Sequence, residues 1–449
     1  MLTNVSPIDG RYKEITRELT KFFSEYAYIK YRLMVEMQYL LYFLRITENE
    51  YYRGENIEYI HYVFAKINNH FDLNECKKVK EIEAITKHDV KAIEYYIRDK
   101  LEENRLSYLK QYIHFGLTSQ DVNSVACMMS LKDVIYHIYL IKLDEIINKL
   151  DEMSLKYKNI QMLSRTHGQP ASPTTIGKEI YVFCYRLNEE RETLYETKYR
   201  CKFSGATGNW NAHKVAYPHI NWPEFGDEFV TELGLIRNQY CTQISNYDEI
   251  SCILDNLKRI NTIIIDLVTD MWHYISLNYF KQNRENGEIG SSTMPHKVNP
   301  INFENCEGNL IICNSLMECL SRKLPVSRLQ RDLTDSTILR NMGTIFGHIL
   351  ISFDSLLKGL TKVIPNMCEI RKDLQENNSV ILEGIQTILR REGIENAYEE
   401  TKRLCDGNNN ISNEKLQEFI DNLELNDNVK QELLEINVYN YIGYSNFIA

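Results

Sequence analysis

Between Ile250 and Tyr274 the apolar residues fall at alternating intervals of three and four: Ile250, Ile253, Leu257, Ile260, Ile264, Leu267, Met271 and Tyr274. That is the spacing of an α-helix that keeps one stripe against partners, and it predicts a helix from about Tyr247 to Phe280. At 1.5 Å per residue it would run on the order of 50 Å, so it needs neighbours along its whole length. The same spacing joins Met128, Leu131, Ile135 and Ile138, and then Leu143, Ile146, Leu150 and Met153. A long helix is therefore predicted after Thr118 and Ser119, whose hydroxyls suit a helix start, with Asp121 favourable in the first turn. Further helices are predicted from Phe22 to Leu44, Pro173 to Lys202, Pro300 to Leu320 and Arg328 to Leu360.

Helix breakers set the divisions. Pro7 to Pro170 encloses no other proline, and the glycines within it are Gly10, Gly54, Gly116 and Gly168. So long a stretch with so few breakers favours helices over strands. Glycines and tryptophans between Gly205 and Gly234 mark a connecting loop, where Pro218 and Pro223 are expected to break any helix. After about Asp354 shorter helices return, punctuated by Pro365 and by polar runs at 376–379 and 407–410. The predicted fold is all-α. It has an N-terminal helical domain (1–115), a central bundle of about five long helices (116–354) and a small C-terminal helical domain (355–449).

Composition narrows the function classes. A chain of 449 residues can bury a large core, and a net charge of −10 disfavours nucleic acid as a partner. An anionic ligand would then need a local basic pocket. Eleven cysteines lie scattered from Cys76 to Cys405 with no spacing that suits zinc, and they read as reduced thiols in a cytoplasmic protein. The first residues show no basic-then-apolar leader, and no run approaches the roughly 20 apolar residues of a membrane span. No Gly-rich nucleotide fingerprint opens a helix. Neither metal nor organic cofactor is expected, and neither is a membrane partner.

The candidate chemistry lies in short polar motifs. Gly290-Ser291-Ser292-Thr293-Met294-Pro295-His296-Lys297-Val298-Asn299-Pro300 places two hydroxyls after a glycine and ends on an anchored lysine and asparagine. With the polar segment 283–289 before it, it reads as an active-site lid. Arg165-Thr166-His167-Gly168-Gln169-Pro170 sets a histidine at a helix break, where it can point into a cleft. Thr86-Lys87-His88-Asp89-Val90 puts His88 and Asp89 on one helical turn, and Thr118-Ser119 can hold an anion at a helix N-terminus. Arg331, Ser336 and Arg340 follow at intervals of five and four, and arginine forks suit phosphate oxygens.

Together these motifs resemble the adenylosuccinate lyase branch of the fumarase/aspartase superfamily, in the family's order from residue 6 to residue 340. The resemblance implies elimination of fumarate from adenylosuccinate to give AMP, and the parallel reaction on the succinylated imidazole-carboxamide ribotide. It implies Ser291 as the base and His167 as the acid toward the purine nitrogen, with His88 beside His167. Lys297, Asn299, Thr118, Ser119 and Gln243 would hold the succinyl carboxylates, His88 and Asp89 would contact the purine and its linker, and Lys87 beside them would bind substrate. Arg11 and Tyr12, within Ser6-Pro7-Ile8-Asp9-Gly10-Arg11-Tyr12, would bind phosphate or ribose with Arg331, Ser336 and Arg340. Lys87 and Gln120 depart from the pattern, which leads one to expect an asparagine and a carboxylate there. The resemblance also implies a homotetramer whose sites are shared between subunits. Other fumarate-releasing enzymes of the superfamily (fumarase, aspartase, argininosuccinate lyase) and a silent helical scaffold are the competing readings.

Overall fold

The structure, a computed structural model, describes residues 2–283, 293–405 and 410–447. Among the described residues helices dominate, joined by three two-stranded sheets. The chain divides into two compact units, one of residues 1–143, 190–262 and 308–354, the other of residues 144–189, 263–307 and 355–449. Every division falls inside a helix: Leu140–Tyr157, Ile176–Tyr195, Asp248–Ser276, Ile301–Lys323 and Met342–Lys362.

The predicted heptad helix is Asp248–Ser276. Seven of its eight stripe residues, Ile250 to Met271, are buried, and so are Leu254, Ile263 and Val268 beside them. The buried face is thus wider than a two-per-seven seam, as a helix with several neighbours requires. The helix after Thr118 runs from Ser119 to Val134, passes through a π turn at Ile135–Tyr139 and continues as Leu140–Tyr157. The wider turn advances the stripe by one residue, so Tyr139 is buried where Ile138 was expected.

Other expectations need correction. The helix predicted from Phe22 breaks at Ser24, whose side chain caps Glu25–Ile46 by accepting from the Ala27 amide. Arg328 to Leu360 is not one helix but a turn followed by Thr334–Leu339 and Met342–Lys362. The Trp/Gly segment contains two helices, Asn211–Ala216 and Trp222–Glu232. Pro223 starts the second of these, because proline's missing N–H costs nothing in a first turn.

In the first unit Ile29, Leu33, Met37 and Leu40 of Glu25–Ile46 pack with Ile60, Phe64, Ile93 and Ile97 from neighbouring helices. An aromatic cluster of Tyr39, Phe203, Trp210, Trp222, Phe225 and Phe229 closes its other side. In the second unit the antiparallel hairpin Gln161–Thr166/Gln169–Thr175 packs on the helix Met367–Glu376. Shorter helices between Leu382 and Glu435 complete it.

Candidate active site

The first unit holds a cavity of about 620 Å³, the size of a small-molecule site. Five separated stretches of chain build it, one of them Ser245, Tyr247 and Ile250. The Leu73–Thr86 helix ends on Lys87, which takes a left-handed conformation (φ 55°), and the chain then turns into Asp89–Glu103 with His88 as N-cap. This turn delivers Lys87, His88 and Asp89 side by side to the wall. The start of Ser119–Val134 supplies Ser119, Gln120, Asn123, Ser124 and Cys127, one polar face at helical spacing. Glu25–Ile46 gives Tyr28 and Arg32, and the segment after the Arg328 turn gives Arg331, Ser336 and Arg340.

Charges across this wall are interlocked. The Asp89 carboxylate lies 3.2 Å from the Arg32 guanidinium and 3.7 Å from that of Arg340, and it accepts from the Val90 amide at 2.9 Å. Burial alone would raise the Asp89 carboxyl, but Arg32, the Val90 amide, His88 and Arg340 together hold it below its ordinary value. Glu25 sits 3.5 Å from Arg340. His88 Nδ1 accepts from the Lys91 amide at 3.2 Å, an N-cap that fixes the ring beside Asp89. Burial pushes the Cys127 thiol up to about 11, which keeps it neutral and unreactive.

The start of Ser119–Val134 is anchored from beneath. Asp121, fully buried, accepts from the Thr118 amide at 2.9 Å in a capping box. Its other oxygen takes Lys202 Nζ at 2.5 Å, the Ser204 amide at 2.8 Å and the Gly205 amide at 3.1 Å. The helix N-terminus that presents Thr118 and Ser119 is therefore tied to the 202–205 segment by a buried ion pair.

Not every expected residue of this unit reaches the cavity. Thr118 adjoins it without lining it. Arg11 and Tyr12 lie elsewhere, their guanidinium and ring 5.7 Å apart. Gln243 points away, donating to the Ala206 carbonyl at 3.0 Å, while Ser245 and Tyr247 two and four residues on do line the wall. Tyr247 donates to Asp335 at 2.7 Å. Arg32, Asn123, Cys127 and Tyr247 were missed by sequence reasoning. The spacing of Gln120, Asn123, Ser124 and Cys127 was a readable signal, a stripe at helical intervals along the first turns of Ser119–Val134.

The second unit carries the other predicted residues. His167 and Gly168 form the two-residue turn of the hairpin, both left-handed (φ 53° and 74°), as such turns require. The expectation of a helix break is thus met by a β-turn, and His167 is exposed at its tip. Arg165 binds Asp373 at 2.7 Å, and Tyr279 donates to the same carboxylate, bracing the hairpin. Lys297 is exposed in a turn closed by its own amide on the Met294 carbonyl at 3.1 Å, and Asn299 is half-buried just before Ile301–Lys323. Ser291 and Ser292, with the expected lid segment 284–290, lie outside the described residues. Among the described residues no cluster of three or more His, Cys, Asp or Glu is arranged to hold a metal ion.

Comparison with known proteins gives the following matches. Residues 10–314 match a family described as lyase, and residues 327–442 one described as adenylosuccinate lyase C-terminal. The chain is 48% identical to the adenylosuccinate lyase of Dictyostelium discoideum and 43% identical to that of Escherichia coli K12, in both cases over 98% of this chain and 97% of the relative. The fold is similar to that of a fumarate lyase from Mesorhizobium sp. BNC1, with a TM-score of 0.74 and 16% identity over 97% of this chain and 96% of that one. It is also similar to a 3-carboxy-cis,cis-muconate lactonizing enzyme from Pseudomonas putida, with a TM-score of 0.71 and 19% identity over 96% and 95%.

Proposed function

The chain belongs to the adenylosuccinate lyase family, and from that premise we propose how its residues eliminate fumarate from adenylosuccinate to leave AMP. The observation that carries the reading is the cavity, where Lys87, His88, Asp89, Ser119, Arg331, Ser336 and Arg340 converge from distant parts of the sequence. Arg331, Ser336 and Arg340 hold the phosphate, Asp89 and Lys87 meet the purine, and Ser119 with the helix N-terminus below it meets a carboxylate.

Elimination needs a base for a weakly acidic proton next to a carboxylate, an acid for the leaving nitrogen, and donors for the charge that develops. Ser291 takes the proton, and Lys297, Asn299 and Thr118 stabilise the carboxylate-delocalised anion. His167 protonates the departing amine, with His88 as its neighbour. Arg11, Tyr12 and Gln243, which do not line the cavity of their own unit, would join the ligand shell in a site shared between copies. The parallel substrate is the succinylated imidazole-carboxamide ribotide, which carries the same succinyl-amine linkage. No organic cofactor enters this chemistry.

The exposed hairpin tip that carries His167 suits a residue that serves a site shared with other copies. Ile311 and Ile312, about half exposed in the middle of Ile301–Lys323, offer an apolar surface for such copies, and among the described residues nothing lies within 4 Å of where a Cβ on Gly308, one turn earlier, would sit. A homotetramer of three-domain subunits (1–115, 116–354 and 355–449) is the assembly we propose. Buried thiols such as Cys76, Cys201 and Cys313 suit a reducing cytoplasm.

The test is fumarate release from adenylosuccinate by the purified protein beside Ser291→Ala and His167→Ala. The expected outcome is turnover by the parent and a loss of at least about a hundredfold in each variant. Full activity in His167→Ala would remove the proposed acid.

A further inference from the structure

Four cations reach the cavity wall: Arg32, Lys87, Arg331 and Arg340. They are not equivalent. Arg32 and Arg340 share the Asp89 carboxylate, and Arg340 has Glu25 as well. Among the described residues no carboxylate comes within ion-pair distance of Arg331. The acidic residues nearest to it in sequence are committed elsewhere: Asp332 takes the Thr334 amide at 2.8 Å, and Asp335 takes the Tyr247 hydroxyl at 2.7 Å and the Ser336 amide at 2.8 Å.

What does hold Arg331 is neutral. In the amide orientation that satisfies its hydrogen bonds, the Gln120 side-chain oxygen accepts from one terminal nitrogen of Arg331 at 2.8 Å and from the other at 3.3 Å. Gln120 is only 3% exposed and sits on the first turn of Ser119–Val134, the helix start that Asp121 and Lys202 lock in place. The holder is therefore rigid.

We propose that Gln120 is a positioning residue for anion recognition, fixing the Arg331 guanidinium against the cavity wall while leaving its charge uncompensated. The proposal rests on the reading of Arg331 as a phosphate ligand. A carboxamide oxygen satisfies two of the five guanidinium donors and sets the plane of the fork, leaving the others for a ligand. A carboxylate, which the family pattern leads one to expect at this position, would form a bidentate ion pair and lower the positive field where the phosphate dianion sits, so the glutamine of this chain leaves Arg331 more of its charge. Glutamine does the geometric half of that work without the electrostatic half. The ligand chemistry this favours is a phosphate monoester in its dianionic form.

The experiment compares binding of AMP and of adenosine, by calorimetry on the full-length protein, for the parent, Gln120→Glu, Gln120→Met and Arg331→Met. Inorganic phosphate serves as competitor. Gln120→Glu is expected to weaken AMP and inorganic phosphate by about tenfold, to leave adenosine unchanged, and to hold or raise the melting temperature of the free protein. Gln120→Met, which removes the acceptor but adds no charge, is expected to weaken AMP by a smaller factor, again without touching adenosine. If Arg331→Met loses AMP selectively while Gln120→Glu binds AMP like the parent, the role of Gln120 is overturned and the phosphate reading stands. If Arg331→Met itself binds AMP like the parent, both are overturned. An equal loss of AMP and adenosine in Gln120→Glu marks a merely structural role and also overturns the proposal.

Discussion

Buried groups near the start of Ser119–Val134 pack the chain that leads into the cavity wall. His213 is fully buried, with Nε2 3.1 Å from the Tyr39 hydroxyl, which itself donates to the Phe115 carbonyl at 2.6 Å. A methyl group on Gly116, two residues before Thr118, would come within 2.6 Å of that ring, so glycine is required both for space and for its φ of 70°. Burial pushes the His213 imidazole down to about 4, against the smaller pull of Asp121. The folded value lies below the unfolded one, so the native state keeps this ring neutral while the unfolded chain takes up the proton. Stability is then fully present above about pH 6.5 and falls by roughly 3 kcal/mol as pH drops toward 4. Urea unfolding of the parent and of His213→Gln across that window checks it, since the variant should lose this part of the pH dependence. None of it was legible in the sequence, where His213 stands in an unremarkable Asn-Ala-His-Lys run. A histidine's burial depends on what folds over it, not on its neighbours in the chain.

Among elements, periodic ones were read well and irregular ones poorly. The Asp248–Ser276 helix was predicted from its stripe to within a few residues, because a long apolar period has few other solutions. The break at Ser24, the π turn at Ile135–Tyr139 and the hairpin around His167 were not. Each depends on a single local substitution of one backbone hydrogen-bond pattern for another, which periodicity averages away. The motif residues on the Lys87 to Asp89 turn and at the start of Ser119–Val134 were legible because capping chemistry is local. What the sequence did not reveal is how that helix start is anchored. Lys202 and Asp121 are both fully buried, and the pair spans 81 residues of chain. Lys202→Met would leave the Asp121 carboxylate buried without its cation and is expected to cost about 3–5 kcal/mol. Chemical denaturation measures the loss, and a change within ±0.5 kcal/mol would mean that the amides of Thr118, Ser204 and Gly205 suffice alone.

For the whole molecule, the two compact units divide the predicted chemistry between them. Lys87, Asp89, Arg331, Ser336 and Arg340, proposed for the nucleotide, line the cavity of one, while His167, Lys297 and Asn299 belong to the other. The order of the motifs along the sequence identified the family, but the sequence could not say whether more than one copy would supply a given site, because that depends on surfaces rather than on segments. Ile311 and Ile312 are half-exposed, and the proposal that they form such a surface for a shared site has a sharp consequence. Ser291→Ala and His167→Ala are each expected to be nearly inactive alone. If the two residues of one site come from different subunits, subunits exchanged between the variants produce some sites that carry neither lesion. Random mixing in equal amounts would restore about a quarter of parental activity, since two independent subunit choices must both be favourable. If both residues come from one subunit, every site keeps a lesion and mixing restores nothing. Ile311→Glu with Ile312→Glu, which places charge on the proposed contact, should abolish the restoration and reduce the mass seen by sedimentation. Restoration that survived a monomeric mass would refute the shared site.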